Sequence, residues 1–463
     1  MLASPAFGSC LQAELVARPE VADVLPQVAV IKRFVEWWLA DDALRDSFET
    51  DTPGVAARHG VPEELASYLH RNEPLGEAAH PALRAYGLYL EQRLAHRERM
   101  RGECAPDHPG FRAWRERQMR RCQGQLPPHY NQAILHLPVA FELSQGCSVG
   151  CWFCGLSAAR LESVFSASEE NRTLWRECLE VISQVCGPSA GRGIAFWATD
   201  PLDNPDYELL CQDFHTILGR FPATTTALGA RDLERTERLL GLSWEHGCEF
   251  NRFSILSTGQ MKRLTEHFSP EALLYVDLIA QTRGALRAKA LAGKALGSEK
   301  TPSAVSSEPS TIACVSGFLV NMPAREVRLI SPCEASQRWP MGYRVHAIAR
   351  FARASELRDA IDQMLKEHAG AELFGRPRLG LRPDVMVAEG EGSVVLSAPY
   401  GPSRRFSLTP LAVRRLREGQ SQAAELALEL EGQGVSMAET FHTFRRLLEE
   451  GWLDDEPERT AHD

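Results

Sequence analysis

The sequence contains no apolar run of membrane-spanning length, so a helical membrane protein is not expected. Its first residues, MLASPAFGSCLQAELVARPE, lack a basic stretch followed by an apolar core, so no secretory signal is expected either. Positive charge is in deficit: 51 Lys and Arg stand against 61 Asp and Glu, a formal net charge of -10. That balance disfavours non-specific binding to nucleic acid or to an anionic membrane. Evenly paired cysteines are missing as well. Of the 12 cysteines, nine are scattered singly through the chain, which fits free thiols in a reducing cytoplasm better than a disulfide framework.

With 463 residues, 44% of them hydrophobic and 24% charged, the chain is of ordinary globular composition and long enough for two or three domains. Residues 1–130 read as a helical N-terminal domain. VAVIKRFVEWWLADDALRDSF places Phe34, Trp38 and Leu39 on one face, with Leu44 and Phe48 continuing at helical spacing. EQRLAHRERMRGE is too charged for a core and reads as a solvated helix. Over 131–350 the pattern changes to short β-rich runs, among them LPVAFELSQGC, GIAFWATDPL, ATTTALGA, EFNRFSILS, ALLYVDLIA and GFLVNM. Helical stretches lie between some of them. One, in SASEENRTLWRECLEVISQVCG, is expected to start with a Ser166–Glu169 capping box and to end at Gly187. The alternation predicts an α/β fold, a partial (β/α)6 barrel. KALAGKALGSEKTPSAVSSEPST interrupts it and reads as a mobile insertion over about 284–311.

Residues 351–382 read as a connector and 383–463 as a separate module. GSVVLSA and RRFSLT predict two strands, and three helices follow, with caps at Thr409 and at Ser436–Glu439. That set predicts a winged-helix-like unit. A DNA-binding reading of it is weakened by LEEGWLDDEPE beside the basic RRLREGQ and FHTFRRLL.

The three remaining cysteines are concentrated in ELSQGCSVGCWFCGLSA, where Cys147, Cys151 and Cys154 fall within eight residues as C-x3-C-x2-C. Three thiolates on one loop can bind three irons of a four-iron cluster and leave the fourth iron open to a ligand. A loop directly after a strand sits at the C-terminal mouth of such a barrel, where the chemistry of these folds is found. The alternatives are a zinc site, which wants four closed ligands and finds no following C-x2-C or H-x3-H pair, and three unligated core thiols.

C-x3-C-x-aromatic-C after a strand resembles the signature of the radical S-adenosylmethionine (SAM) enzymes. The resemblance implies a [4Fe-4S] cluster on Cys147, Cys151 and Cys154, SAM chelated at the open iron, and Phe153 near the adenine. It implies further cofactor contacts at Thr199 and Asp200, where FWATDPLDNPDYE stands in place of the family's Gly-Gly-Glu-like turn, and at Arg252, Ser254 and Ser257 in NRFSILSTGQ. Asp200 keeps an acceptor for an ammonium group on a shorter arm; an Asx cap is the other reading of this turn.

Residues 25–350 resemble more narrowly the radical enzymes that epimerise residues of ribosomally made peptides in proteusin-type pathways. The likeness rests on the cysteine loop, on ATDPLDNPDY and on SPCEASQRWPMGYRV. It implies removal of an α-hydrogen from an L-residue and return of hydrogen from the opposite face by a cysteine thiol. Cys333 is the expected donor and Cys314 the runner-up. A precursor peptide, leader and core, and an electron donor such as flavodoxin or ferredoxin are the implied partners. The C-terminal module resembles the peptide-recognition units that bind a leader as an added strand. Two other readings remain open: a peptide maturase forming C–C or C–S crosslinks, and a non-catalytic iron–sulfur binder or regulator.

Overall fold

The computed structural model describes residues 10–63, 65, 68, 80–296, 305–370, 373, 378–390 and 393–457. The molecule is a mixed α/β structure with several small sheets and many helices. Its central strands are β1 (Leu137–Glu142), β2 (Ser144–Gln145), β3 (Ser163–Val164), β4 (Thr225–Thr226), β5 (Asn251–Ile255), β6 (Val276–Ala280), β7 (Val315–Asn321), β8 (Glu326–Pro332) and β9 (Tyr343–Arg350). They do not form one continuous sheet. β1 pairs in parallel with β7, and β7, β8 and β9 continue as an antiparallel meander. β4, β5 and β6 form a separate parallel sheet. The strand expected at the start of 193–202, ahead of a loop, is reduced to a single parallel bridge, Ala140 to Ile194. A 3-10 turn, Gly187–Arg192, runs directly into it, and Ala198 takes a positive φ of 47°, so extended backbone is interrupted on both sides.

β1 is buried on both faces, as a strand in a parallel pairing should be. Val139 and Phe141 pack on the helices Glu169–Cys186 and Tyr207–Leu218, with Phe141 edge-on to Trp175 and Phe214. Ala140, between them, joins Ile194, Trp197, Leu319 and Ile330 on the opposite face. The helix Glu169–Cys186 presents Leu174, Trp175, Cys178, Val181, Ile182 and Val185 to the core. Each large apolar side chain buried this way contributes about 1.5–3 kcal/mol. Its cap is Ser168, which accepts from Asn171 N, and not Ser166, whose carbonyl instead accepts from the Asn171 amide. Gly187 ends the helix at φ 62° as expected.

The N-terminal helices pack on the β4–β6 sheet. The charged stretch of helix Pro81–Glu103 is not simply solvated. Arg93 pairs with Asp277 of β6 at 2.6 Å, Tyr89 donates to Leu274 O, and Gln92 and His96 are buried. Asp277 matches Arg93 and Arg192 matches Glu103 from other elements, which is how such a helix can be half core. The helix Pro109–Gln125 crosses the molecule: Phe111 and Trp114 enter the central core, and Phe111 lies 4.9 Å from Phe318.

Toward the C-terminus, β10 (Met386–Gly390), β11 (Ser393–Ser397) and β12 (Arg404–Phe406) form an antiparallel sheet. β11 and β12 fall where two strands are expected, and β10 is additional. The helices Pro410–Glu418, Ala423–Glu431 and Met437–Glu449 cover the sheet, with Leu396, Phe406, Leu416, Leu426 and Phe444 in a core of their own. No helix among the described residues is long and apolar enough to cross a membrane.

Candidate functional site

The cysteine loop leaves β1 through a tight turn. Gly146 has φ 80°, and a Cβ there would lie 2.2 Å from Arg160 O, so only glycine fits. Cys147 N donates to Ala159 O, and Cys154 N donates to Cys151 O. Ala158 N donates to Cys154 Sγ at 3.4 Å. A second anchor comes from Asp203, which accepts from Ser148 N at 2.8 Å and from Ser148 Oγ at 2.5 Å.

Cys147, Cys151 and Cys154 are free and half-buried. Burial raises the Cys147 thiol. Burial, with repulsion from Cys154 and Cys147, pushes Cys151 up to about 11. Three thiolates on one short loop repel one another unless a cation lies among them, so the donor set fits a cationic iron–sulfur group. Among the described residues no three His, Cys, Asp or Glu side chains converge tightly enough to hold one metal ion. A cluster takes one thiolate per iron and does not require such convergence.

Asp200 lies near the loop, and its charge is felt by Cys147 and Cys151. Its carboxylate is used within the chain. Oδ1 accepts from Thr226 Oγ1 at 2.6 Å and Leu202 N at 3.0 Å, and Oδ2 accepts from Ala227 N at 2.6 Å. It therefore caps a short turn and ties it to the end of β4. Burial pushes its pKa up to about 6 against those three donors. The hydroxyl of the adjoining Thr199 is half-buried and donates only a long bond to Asp200 O, 3.5 Å.

Phe153 is half-buried, edge-on to Trp152, with the Lys289 ammonium 5.4 Å from its ring centre. The first part of the segment read as an insertion thus packs on the cysteine loop. Lys294 N donates to Cys154 O, and Lys294 Nζ donates to Ala158 O. Gly293, at φ 57°, lies so close that a Cβ would stand 2.3 Å from Cys154 O. Residues 297–304 of that segment lie outside the described residues.

Cys314 and Cys333 are brought together in one apolar cluster with Ala140, Ile194 and Trp197. Cys333 is 2% exposed. Burial pushes both thiols up to about 11, so each keeps its hydrogen at neutral pH. Tyr343 lies edge-on to Trp197 at 5.8 Å in the same cluster. Arg252 sits on β5 with its guanidinium 5.4 Å from the Phe250 ring, and its charge reaches Cys314. Ser254 is also on β5. Ser257 caps the helix Thr258–His267 by accepting from Gln260 N. Among the described residues no hydrogen bond or ion pair joins Arg252, Ser254 or Ser257 to the cysteine loop.

Sequence reasoning did not single out Asp203, Glu142 or Lys289. Asp203 had a visible signal, being one of three acidic residues in DPLDNPD. Glu142 is the only polar residue in β1; its carboxyl accepts from Asn321 Nδ2 at 2.6 Å, near Arg328 and Glu326. Lys289 had no local signal, because its contact comes from a loop distant in sequence.

No family model matches the chain. A solved structure of BtrN in complex with AdoMet and 2-DOIA aligns over 41% of this chain and 71% of that one, at 15% identity and a TM-score of 0.30. A likeness that weak supports no argument about this molecule. An uncharacterized protein, y4wI, of Sinorhizobium fredii (strain NBRC 101917 / NGR234) is 36% identical over 448 residues, covering 92% of this chain and 87% of that protein. With that identity sustained over nearly the whole of both, the chain belongs to the same family as the y4wI protein.

Proposed function

We propose that the protein is a radical SAM enzyme built on a partial barrel, and that it epimerises residues of a ribosomally made precursor peptide from L to D. The observation that carries this is the loop of three half-buried free cysteines at the end of β1. Cys147, Cys151 and Cys154 would hold a [4Fe-4S] cluster. When bound, cluster and SAM together supply a 5′-deoxyadenosyl radical, a hydrogen-abstracting oxidant.

The chain's own residues do the rest. Phe153 and the turn at Thr199–Asp200 border the cofactor, and the apolar cluster around Trp197 keeps water from the reacting carbon. A planar carbon radical has no memory of its configuration, so inversion needs a hydrogen from the face opposite the abstracting group. Cys333 holds that hydrogen at Sγ because burial keeps it a thiol. In the donation an S–H bond breaks and a C–H bond forms. The thiyl left behind is restored by one electron and one proton, the electron from a donor such as flavodoxin or ferredoxin. Cys314 is the alternative donor. The C-terminal β10–β12 unit, winged-helix-like in its make-up, is assigned the peptide's leader, added as a strand to a sheet edge.

The test is turnover of reconstituted, reduced protein with SAM and a candidate precursor peptide in heavy water. Unchanged covalent connectivity with one deuterium per inverted α-carbon supports epimerisation. Loss of hydrogens from the product would replace it with crosslinking. Cys333→Ala should release deoxyadenosine and give no D-residue; normal inversion by that variant would overturn the assignment of Cys333.

A further inference from the structure

The turn that carries Cys333 is gripped from outside its own sheet. It runs from Pro332, the last residue of β8, to Tyr343, the first of β9. Cys333 N donates to Gly342 O at 2.9 Å, Thr311 Oγ1 donates to the same carbonyl at 2.7 Å, and Ala335 N donates to Ser310 O. The carbonyl that directly precedes Cys333, that of Pro332, is held by Arg344 Nη1 at 3.2 Å. Trp339, 5% exposed, packs in the same apolar cluster as Cys333.

Both Arg344 and Trp339 end on one carboxylate. Glu456 Oε1 accepts from Trp339 Nε1, and Oε2 accepts from Arg121 and from Arg344 Nε at 2.7 Å. Glu456 belongs to the C-terminal unit, where Asp454 N donates to Gly380 O and Leu453 bridges Leu381. Charge adds to this geometry. Two guanidinium groups, Arg344 and Arg121, act on the Cys333 thiol, and Glu456 and Glu334 oppose them. Glu334 is exposed, so water and salt screen it. Glu456 is the inner of the two anions. A cation beside a cysteine favours the thiolate, and a thiolate has no hydrogen to give.

We propose that Glu456 is the positioning residue of the hydrogen donor: by holding Arg344 and Trp339 it sets the Pro332–Cys333 step, and its charge offsets the two guanidinium groups beside the thiol. This rests on the function proposed above, which takes Cys333 as the donor.

The first measurement needs neither cofactor nor turnover. Full-length wild type and Glu456→Gln are alkylated with iodoacetamide at pH 8, and each cysteine is followed by peptide mass mapping. Cys211, 0% exposed in the central core, is the internal control. Loss of one nearby anion predicts that Cys333 reacts about tenfold faster relative to Cys211. A merely structural role would speed both thiols together; that result, or no change in either, would overturn the proposal. Where Glu456→Gln does not fold, Glu456→Asp, one methylene shorter, reads the same ratio in the same direction. The second measurement counts D-residues formed per deoxyadenosine released, a ratio independent of how much protein is folded. It should fall about tenfold in Glu456→Gln while deoxyadenosine is still made. If wild type inverts residues and Glu456→Gln gives as many per deoxyadenosine, the positioning role falls and the proposed function stands. If wild type makes no deoxyadenosine, the proposed function falls, and the alkylation ratio alone judges Glu456.

Discussion

Glu142 closes β1 just before the cysteine loop, and its side chain is only half-buried. Burial pushes its carboxyl up to about 7 from the ordinary 4.5, against opposing effects of the Asn321 hydrogen bond and Arg328. The folded protein thus holds this proton more tightly than the unfolded chain does. The resulting stabilisation is complete below the unfolded value and is lost as pH rises through the folded one. Relative to Glu142→Gln, the wild type should lose on the order of 3 kcal/mol between pH about 4.5 and 7, read from denaturation midpoints across that range. A flat difference would mean that the carboxyl is solvated. At the same scale, Cys147→Ala, Cys151→Ala and Cys154→Ala should each bring iron content after reconstitution close to background while leaving the circular dichroism of the fold intact. Iron retained in all three variants would place the cluster elsewhere.

Among the elements, the turn after Asp200 depends on one side chain. Asn204 is 0% exposed; its Nδ2 donates to Leu143 O at 2.8 Å and Phe165 O at 2.9 Å, and its Oδ1 accepts from Asp206 N. It joins the backbone on both sides of the cysteine loop to the turn that carries Asp203. Asn204→Ala leaves two buried carbonyls unanswered and should cost about 2–4 kcal/mol, seen as a lowered melting temperature. Its hydrogen exchange should rise first over 143–165. Features of this kind separate what the sequence makes legible from what it does not. The caps at Thr409 and Ser436 and the stop at Gly187 are local, so a few neighbouring residues suffice to read them. The three cysteines are legible as one loop for the same reason. By contrast, two of the three partners of Asp200 come from 226–227, the cation over Phe153 comes from residue 289, and the break in the strand within 193–202 reflects the turn around Ala198. Those contacts are set by tertiary packing, to which periodicity is blind.

Across the whole molecule, the last described residues fasten the C-terminal unit to the centre. Asp455 accepts from Arg117, Gln118 and Arg121, and Glu456 accepts from Arg121, Arg344 and Trp339 Nε1. Arg121 and Arg344 are buried, and Arg344 is on β9, close in sequence to the Cys333 turn. Burial pushes Glu456 up, but Arg344 and Arg121 outweigh it, and its carboxyl is held below the ordinary range. This contribution is present above the ordinary carboxylate range and is lost on acidification. Glu456→Gln leaves two buried guanidinium groups short of a partner and should cost on the order of 3 kcal/mol at neutral pH. The gap between variant and wild type should narrow on acidification below the ordinary carboxylate range. The most direct test of the account is electron paramagnetic resonance of the anaerobically reconstituted, reduced protein before and after addition of SAM. A four-iron signal that changes shape when SAM is added is the predicted result. A protein that gives no such signal, or a signal indifferent to SAM, would contradict the claim that Cys147, Cys151 and Cys154 hold a cluster with one iron left open.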